Sequence, residues 1–377
     1  MNIKPVKTAV LGCGMISNTY LPILTKKFKI LEVIGCCDMD QELAQKTAKR
    51  YNLQNMTMSE LLSSEMELVI NLTPAAVHYE TNKQLLNAGK HVYSEKMLAS
   101  NLEEAQELIE LADRKNLYLG AAPDTFLGSA AQTARYVVES GMIGEVTSCY
   151  AEATRDYLFF SNFIRNAMEP EGGIFKDYGI YSITVLLSIL GSVKEVAGVM
   201  ETRIPHGIYQ DIERLGEPYT MKCESLVSAS LIFESGVIGN ILLDSNSLFT
   251  CPEKPMLVIN GTKGILYMAD PNCFSGEVKV LLKGNSDPFV MQQSHGFDEE
   301  YRGVGAAEMA WAIRGERKSR ANKEMAYHAM EVIEGLQQSS ETKRFYQLKS
   351  SFEKTAALPR GFRRMISSID REENALI

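Results

Sequence analysis

The sequence predicts a two-domain α/β protein: a doubly wound domain with a parallel sheet, followed by an α+β domain with a large, mostly antiparallel open sheet. Up to about residue 122, short apolar runs alternate with amphipathic helical stretches, as in βαβ units. Beyond that point the strand-like segments are longer and alternate apolar with polar residues. With 377 residues, the chain also exceeds what one hydrophobic core usually holds. We therefore divide it into residues 1–123 and 124–377.

Five parallel strands separated by helices are expected in the first domain. The strands are Val6–Leu11, Leu31–Cys37, Leu68–Leu72, His91–Ser94 and Leu117–Ala121. The helices between them are Gln41–Tyr51, Val77–Ala88 and Leu102–Lys115. Gly89 follows the second of these helices, where a helix C-terminus favours a residue with positive φ.

The second domain combines an antiparallel sheet with flanking helices. Its alternating segments are Val146–Thr154, Val193–Thr202, Cys223–Phe233 and Val237–Asp244, with shorter ones at Met256–Asn260 and Ile265–Met268. Turn residues between the last two pairs predict two hairpins, one at Glu234-Ser235-Gly236 and one at Gly261–Gly264. Helices are predicted at Ser129–Ser140, Asp177–Leu190, Ala306–Arg314 and Lys323–Gln337.

Composition and charge exclude several classes of partner. The formal net charge is −8 with both signs mixed, which gives no electrostatic footprint for nucleic acid. The N-terminus lacks the features of a signal peptide, and no window approaches the roughly 18 apolar residues of a membrane span. The histidines and cysteines have no metal-ligand spacing. We therefore expect a cytoplasmic protein without a nucleic-acid, membrane or metal partner.

A glycine-rich turn leads from the first strand into a helix. Gly12 permits a tight turn, Gly14 lets the backbone approach a pyrophosphate, and Met15 and Ile16 open the helix whose N–H groups face the anion. Ser17 stands where the usual motif has its third glycine. Taken alone, the hexapeptide also fits an ordinary strand-to-helix turn.

Asp38 gives the turn its interpretation as a nucleotide site. It ends the second strand about 20 residues downstream, where a carboxylate accepts hydrogen bonds from the adenosine ribose hydroxyls. The same charge would repel a 2′-phosphate, and Met39 and Asp40 provide no cation to receive one. We predict NAD as the cofactor, with NADP disfavoured.

Further motifs establish a family resemblance. Leu72-Thr73-Pro74 with His78 follows the third strand, Glu95-Lys96 follows the next, and Gly172-Gly173 leads towards Asp177 and Tyr181. With the glycine turn, these motifs resemble the glucose-fructose oxidoreductase, inositol dehydrogenase and MocA family over essentially the whole chain. The chain departs from the family where Met97 replaces a common proline and where Tyr181 stands at a position often occupied by histidine.

The resemblance implies a function, site residues and an assembly. It implies an NAD-dependent oxidoreductase that transfers a hydride between nicotinamide and a secondary alcohol or carbonyl of a sugar, polyol or related diol. Contacts to the cofactor are expected from Thr73, Pro74, His78, Glu95 and Lys96. A homodimer or homotetramer is expected, both from the resemblance and because few helices are available to cover the two faces of the second-domain sheet.

Lys96, Asp177 and Tyr181 are the predicted catalytic residues. Hydride transfer from a carbinol carbon needs a group that accepts the hydroxyl proton, and a phenol with a pKa of about 10 needs a neighbouring cation to do so. Asp177 and Tyr181 are four residues apart and would share one helix face. Singly, each fits an ordinary role as well: a solvated lysine, a helix N-terminal carboxylate and a core tyrosine.

Several alternatives stay open from the sequence. His78 either contacts the cofactor or caps its helix, and Arg165 either touches substrate or is a surface arginine. Two other functions compete with the leading one: a redox-neutral, NAD-dependent cleavage of glycosides, and a non-catalytic NAD-responsive sensor. The presence of Lys96, Asp177 and Tyr181 together argues against the sensor, which has no need of proton-transfer groups.

Overall fold

The computed structural model describes residues 3–160, 168–170, 172–209, 213–248 and 254–359. Its helices are α1 (Ser17–Leu24), α2 (Gln41–Tyr51), α3 (Met58–Ser63), α4 (His78–Asn87), α5 (Leu102–Arg114), α6 (Ser129–Glu139), α7 (Tyr157–Phe160), α8 (Ile180–Leu190), α9 (Val304–Gly315) and α10 (Lys323–Thr342). Its strands are β1 (Val6–Leu11), β2 (Leu31–Cys37), β3 (Gln54–Met56), β4 (Leu68–Asn71), β5 (His91–Ser94), β6 (Leu119–Ala121), β7 (Val146–Thr154), β8 (Val193–Glu201), β9 (His206–Ile208), β10 (Pro218–Thr220), β11 (Leu226–Phe233), β12 (Ile238–Asp244), β13 (Leu257–Gly261), β14 (Gly264–Met268), β15 (Val278–Leu282), β16 (Phe289–Val290) and β17 (Tyr346–Gln347).

The chain folds into two compact units that are not continuous in sequence. Unit 1 contains the chain up to Ser129, the segment Ser294–Tyr327 and the segment that begins at Thr355. Unit 2 contains Ala130–Gln293 and His328–Lys354. This grouping differs from the single division predicted after residue 123, because two later segments, Ser294–Tyr327 and the one that begins at Thr355, also belong to the first unit.

Unit 1 is built on a six-stranded parallel sheet. The strand order is β3-β2-β1-β4-β5-β6, and every neighbouring pair is parallel. The predicted doubly wound domain is confirmed, and the five predicted strands match to within two residues. The sixth strand, β3, was not predicted. It has three residues at the sheet edge, and only Met56 among them is buried, so it shows no apolar run.

Local sequence signals determine where several of these helices begin. Asp40 accepts hydrogen bonds from the N–H groups of Glu42 and Leu43 at the start of α2. Thr57 and Glu60 form a capping box at α3, and Asn101 accepts from the N–H of Glu104 at α5. Such caps each stabilise a helix by about 1 kcal/mol.

The segment Ser294–Tyr327 is held within unit 1 by a buried carboxylate. Asp124 follows β6 and is fully buried; its Oδ2 accepts hydrogen bonds from the N–H groups of Gly303 and Gly305, each at 2.9 Å. These two glycines flank the first residue of α9, where the helix dipole favours a negative charge. α9 then packs against β5 and β6.

Asp124 should make the stability of the protein depend on pH. Burial raises its pKa to about 6, although the two N–H donors partly offset this. The folded protein therefore binds this proton more tightly than the unfolded chain, so the free energy of unfolding should fall by about 1 kcal/mol from pH 5 to pH 7 on account of this group. Asp124→Asn keeps an oxygen that can accept hydrogen bonds from both N–H groups. The variant should therefore lose the part of the pH dependence of the free energy of unfolding that Asp124 causes. Urea unfolding of both proteins at the two pH values measures it; equal pH dependence would contradict the assignment.

Unit 2 is built on a nine-stranded sheet with the order β16-β15-β14-β13-β7-β12-β11-β8-β17. All neighbouring pairs are antiparallel except β7 and β12, so the predicted mostly antiparallel sheet is confirmed. Both predicted hairpins form, joining β11 to β12 and β13 to β14. Strands β9 and β10 make a separate two-stranded sheet.

The start of α8 packs against one face of this sheet, and α10 hydrogen-bonds to backbone N–H groups of β8. A Cβ on Gly179, just before α8, would lie 2.5 Å from the side chain of Leu243 on β12. From α10, the imidazole of His328 accepts the N–H of Val193 at 2.9 Å, and the hydroxyl of Ser340 accepts that of Met200 at 3.0 Å, both on β8. Along β12, buried and exposed residues alternate, so the opposite face carries exposed side chains.

Candidate functional site

The glycine turn after β1 adopts a geometry that requires glycine. Gly12 has φ +99°, and a Cβ there would lie 2.7–2.8 Å from the backbone of Leu72 and Thr73. A Cβ on Gly14 would have no neighbour within 4 Å, so the turn is open on that side. Met15 is 71 % exposed and Ile16 is half-buried beside it.

The N-terminus of α1 has no side-chain cap, and its first turn is closed by the backbone. Ile16 is the N-cap residue, and the N–H groups of Ser17 and Asn18 donate to the carbonyls of Gly14 and Met15, each at 3.1 Å. The positive end of the helix dipole and the open side of Gly14 fit the pyrophosphate of a dinucleotide. The residues present therefore fit the cofactor that the motif predicts.

Asp38 is held by two backbone donors at the end of β2. Its Oδ2 accepts the N–H of Cys13 at 2.7 Å, and its Oδ1 accepts that of Asp40 at 2.9 Å. The carboxylate thus fixes the glycine turn, a role that the sequence did not reveal. It stays partly exposed beside Met39, which is 98 % exposed. A carboxylate has about four acceptor positions, so Asp38 retains capacity for ribose hydroxyls.

The loop after β4 is organised by buried polar side chains. The Oδ1 of Asn71 accepts from the N–H of Thr73 at 3.1 Å and from its hydroxyl at 2.7 Å, and Pro74 lies exposed at the surface. The ring nitrogens of His78 lie 2.7 Å from the carbonyl oxygen of Thr73 and 2.6 Å from that of Met97.

His78 has no exposed surface, so its side chain offers no atom to a bound cofactor in this structure. The contact of His78 to the cofactor stays a prediction, and in this structure its ring joins the loops that follow β4 and β5. A neutral imidazole can donate to only one of the two carbonyls, whereas an imidazolium can donate to both.

Glu95 and Lys96 leave the carboxyl end of β5, and both are half-buried. The N–H of Glu95 donates to the carbonyl of Asn71 at 2.8 Å. Its Oε1 accepts the phenolic hydrogen of Tyr20 at 2.5 Å, and its Oε2 accepts the N–H of Lys96 at 3.1 Å. Glu95, predicted as a cofactor contact, is therefore bound on both oxygens by the protein itself.

Asp177 and Tyr181 lie together in unit 2, at the start of α8. Asp177 belongs to a π-helical turn, Phe175–Gly179, rather than to the α-helix that the spacing predicted. Its Oδ2 accepts the phenolic hydrogen of Tyr157 at 2.8 Å. Tyr181 is 8 % exposed, with its ring 6.1 Å from that of Tyr178.

The glycine pair before this turn allows a close approach to Glu224. Gly173 has φ +90°, and a Cβ there would lie 2.2 Å from the carboxylate of Glu224. Glu224 is buried and accepts the N–H of Phe175 at 3.1 Å. Burial raises the pKa of Glu224. The tight turn thus places a buried carboxyl directly beneath the π-helical segment.

The structure assembles the predicted residues in two groups. The glycine turn, Asp38, Thr73, Pro74, His78, Glu95 and Lys96 belong to unit 1, and Asp177 and Tyr181 belong to unit 2. Their action as one catalytic set stays a prediction, and Arg165 lies outside the described residues. Across the ranges that the structure describes, no group of three or more His, Cys, Asp or Glu could hold a metal ion. No helix in the same ranges is long and apolar enough to cross a membrane.

Two family models match the chain. Residues 6–122 match an oxidoreductase family with an NAD-binding Rossmann fold, and residues 131–267 match the GFO/IDH/MocA C-terminal domain. The chain belongs to the GFO/IDH/MocA family. The resemblance drawn from the sequence motifs is thereby confirmed, and with it the assignment to an oxidoreductase family.

Other GFO/IDH/MocA-like proteins are similar over much of their length. An uncharacterised oxidoreductase of Schizosaccharomyces pombe is 30% identical over 269 residues, 70% of each chain. The D-glucoside 3-dehydrogenase of Escherichia coli is 23% identical over 353 residues, 91% of this chain and 97% of that one. The structure of levoglucosan dehydrogenase in complex with NADH has a TM-score of 0.75 and 17% identity, covering 92% of this chain and 100% of that one, which shows the fold.

Proposed function

We propose that the protein is an NAD-dependent oxidoreductase that transfers a hydride between nicotinamide and a secondary alcohol or carbonyl of a sugar, polyol or related diol. The arrangement of β1, β4 and β5 as neighbours carries this proposal. Because all three are parallel, the glycine turn, the Thr73-Pro74 loop and Lys96 emerge at the same edge of one sheet. A dinucleotide bound at the turn would extend along that edge towards Lys96.

The protein supplies the proton chemistry and the orientation of the substrate. Bound nicotinamide supplies a ring that accepts or returns the hydride. In the oxidative direction, the phenolate of Tyr181 would accept the hydroxyl proton and become the phenol, and the ammonium of Lys96 would favour that phenolate. Asp177, held by Tyr157, would accept a hydrogen bond from a substrate hydroxyl and orient the carbinol carbon.

The names of two similar proteins support the choice of substrate class. One is a dehydrogenase of D-glucosides and the other a dehydrogenase of levoglucosan. The test is a screen of polyols, aldoses and glycosides with NAD⁺, followed at the absorbance of reduced nicotinamide. Substrate-dependent NADH formation would support the proposal. Product formation without NADH would favour the redox-neutral reaction, and NAD(H) binding without any turnover would favour the sensor.

The cofactor preference follows from the position of Asp38. Binding of NAD(H) should exceed that of NADP(H) by at least about tenfold, near 1.4 kcal/mol, because the fixed carboxylate would repel a 2′-phosphate. Calorimetric titration with both nucleotides measures the ratio. Asp38→Ser should narrow it, whereas Glu42→Gln, which removes a charge from the start of α2, should leave it unchanged. Equal or tighter NADP(H) binding would refute the role of Asp38.

The protein should form a homodimer or homotetramer through the outer face of the unit 2 sheet, the face that carries the exposed side chains of β12. Four of its apolar side chains, Tyr150, Val199, Ile238 and Leu242, are 39–51 % exposed. Pairing these faces would remove them from water. Light scattering should show a multiple of 42.0 kDa, and the double variant Ile238→Asp with Leu242→Asp should be a monomer. Ile208→Asp, which changes an exposed residue of the separate small sheet, should assemble normally. A wild-type monomer at micromolar concentration would contradict the prediction.

A further inference from the structure

Tyr20 begins a hydrogen-bonded path from the nucleotide helix to the loop that carries Lys96. It belongs to α1, the helix that the glycine turn opens, and its side chain has no exposed surface. Its hydroxyl donates to Oε1 of Glu95 at 2.5 Å, and Oε2 of Glu95 accepts the backbone N–H of Lys96 at 3.1 Å. Two hydrogen bonds therefore join α1 to the backbone of Lys96.

The surroundings keep the Tyr20 phenol protonated, and so able to donate. Burial, with the negative charges of Glu95 and Asp124, raises the pKa of this phenol well above its usual value. Asp124 is fixed in turn by the N–H groups of Gly303 and Gly305, so the carboxylates near Tyr20 have defined partners. A fully buried side chain cannot touch the nucleotide or the substrate. Its hydrogen bond to Glu95 is the link from Tyr20 to the loop that carries Lys96.

We propose that Tyr20 is a positioning residue: it fixes the carboxylate of Glu95, which fixes the backbone of Lys96 relative to the glycine turn. The proposal rests on the proposed function, in which Lys96 takes part in hydride transfer. It gives Glu95 the role of a link within the protein in place of a direct contact to the cofactor. It also couples the helix that holds the pyrophosphate to the lysine beside the nicotinamide.

Tyr20→Phe tests the link because it removes one hydroxyl and keeps the buried ring. In the protein without nucleotide, the amide hydrogen of Lys96 should exchange at least about tenfold faster, since its acceptor loses one of two anchors. With NAD⁺ and substrate, kcat should fall about tenfold while the dissociation constant for NADH changes less than about threefold, because a displaced lysine affects the chemical step more than nucleotide binding. Tyr118→Phe is the matched control: its hydroxyl also donates within unit 1, to the carbonyls of Ala312 and Arg317, and it should change neither quantity.

The dependence on Glu95 is tested by a double variant. Glu95→Gln alone should accelerate exchange at the Lys96 amide, and adding Tyr20→Phe should then have little further effect, because both changes break the same path. The proposal would be overturned if the double variant showed the product of the two single effects on exchange at the Lys96 amide. It would also be overturned if Tyr20→Phe had the exchange rate and kcat of the wild type. If Tyr20→Phe is too unstable to study, a wild-type exchange rate at the Lys96 amide in Glu95→Gln would by itself overturn the proposal. Wild-type turnover in Lys96→Met would refute the proposed role of the lysine instead, and the exchange measurements would still decide whether the link exists.

Discussion

Lys96→Met should lower the rate of hydride transfer by roughly a hundredfold or more, the range expected when an acid–base partner is lost. Binding of NAD(H) should be largely retained, because the glycine turn and Asp38 are untouched. Single-turnover measurements at the reduced-nicotinamide absorbance give this rate. Lys115→Met, the same change at an exposed lysine, should behave as wild type.

Tyr181→Phe should cause a loss of similar size. If Lys96 and Tyr181 act as one unit, the double variant should be scarcely slower than the slower single variant, whereas independent roles would multiply the losses. Asp177→Asn should mainly weaken substrate binding and orientation, since it keeps the shape but removes the charge that Tyr157 supports. A wild-type rate in Tyr181→Phe would transfer the proton-carrying role to Lys96 or to a water held by Asp177.

Glu308→Ala should lower the free energy of unfolding by about 3–5 kcal/mol, the cost of leaving buried cations without their partner. Glu308, on α9, is 5 % exposed and forms ion pairs with Arg317 and Arg320, the latter at 2.6 Å. It also accepts the hydroxyl of Ser319 and the N–H of Arg320. Arg320 in turn donates to the carbonyls of residues 356 and 357, so the change would loosen both Ser294–Tyr327 and the segment that begins at Thr355.

Urea unfolding measures this loss, and Glu110→Ala provides the comparison. Glu110 pairs with Arg114 on the exposed surface of α5 at 3.7 Å, and its removal should cost about 0.5 kcal/mol or less. Burial by itself raises the pKa of Glu308, but the charges of Arg317 and Arg320 hold that pKa below its usual value. Its stabilising effect is therefore present above about pH 4.5 and is lost as the pH falls through the lowered pKa. A loss in Glu308→Ala no larger than that in Glu110→Ala would contradict the assignment.

The periodicity of the chain was sufficient to predict the long elements of both sheets. β1, β2, β5 and α2 have the predicted bounds, because runs of buried residues and helix-capping residues mark their ends locally. The edge strands β3 and β17 were not predicted, since each has too few residues to show a period. Equally, no local signal shows that α9 belongs with β5 and β6, because that packing joins segments about two hundred residues apart.

The candidate site was predictable where a short motif determines the backbone conformation. It was less predictable where a side chain contacts a residue far away in the sequence. Gly12 was predicted for its turn, and its positive φ and close neighbours account for the motif. The sequence left His78 open between two roles, and only the fold shows that two carbonyls surround its ring. Tyr20 was missed, because a tyrosine on an amphipathic helix resembles an ordinary core residue until its partner Glu95, 75 positions away, is known.

The discontinuous composition of unit 1 affects how the protein is made. The ribosome completes β5 and β6 long before it reaches α9, and residues 130–293 are synthesised in between. At about 5–20 residues per second, that interval lasts on the order of ten to thirty seconds. During this time the nascent chain exposes the apolar surface that α9 later covers. Folding of the nucleotide-binding half must therefore wait until α9 has been synthesised, and chaperones that hold unfinished chains can act on that surface during the interval.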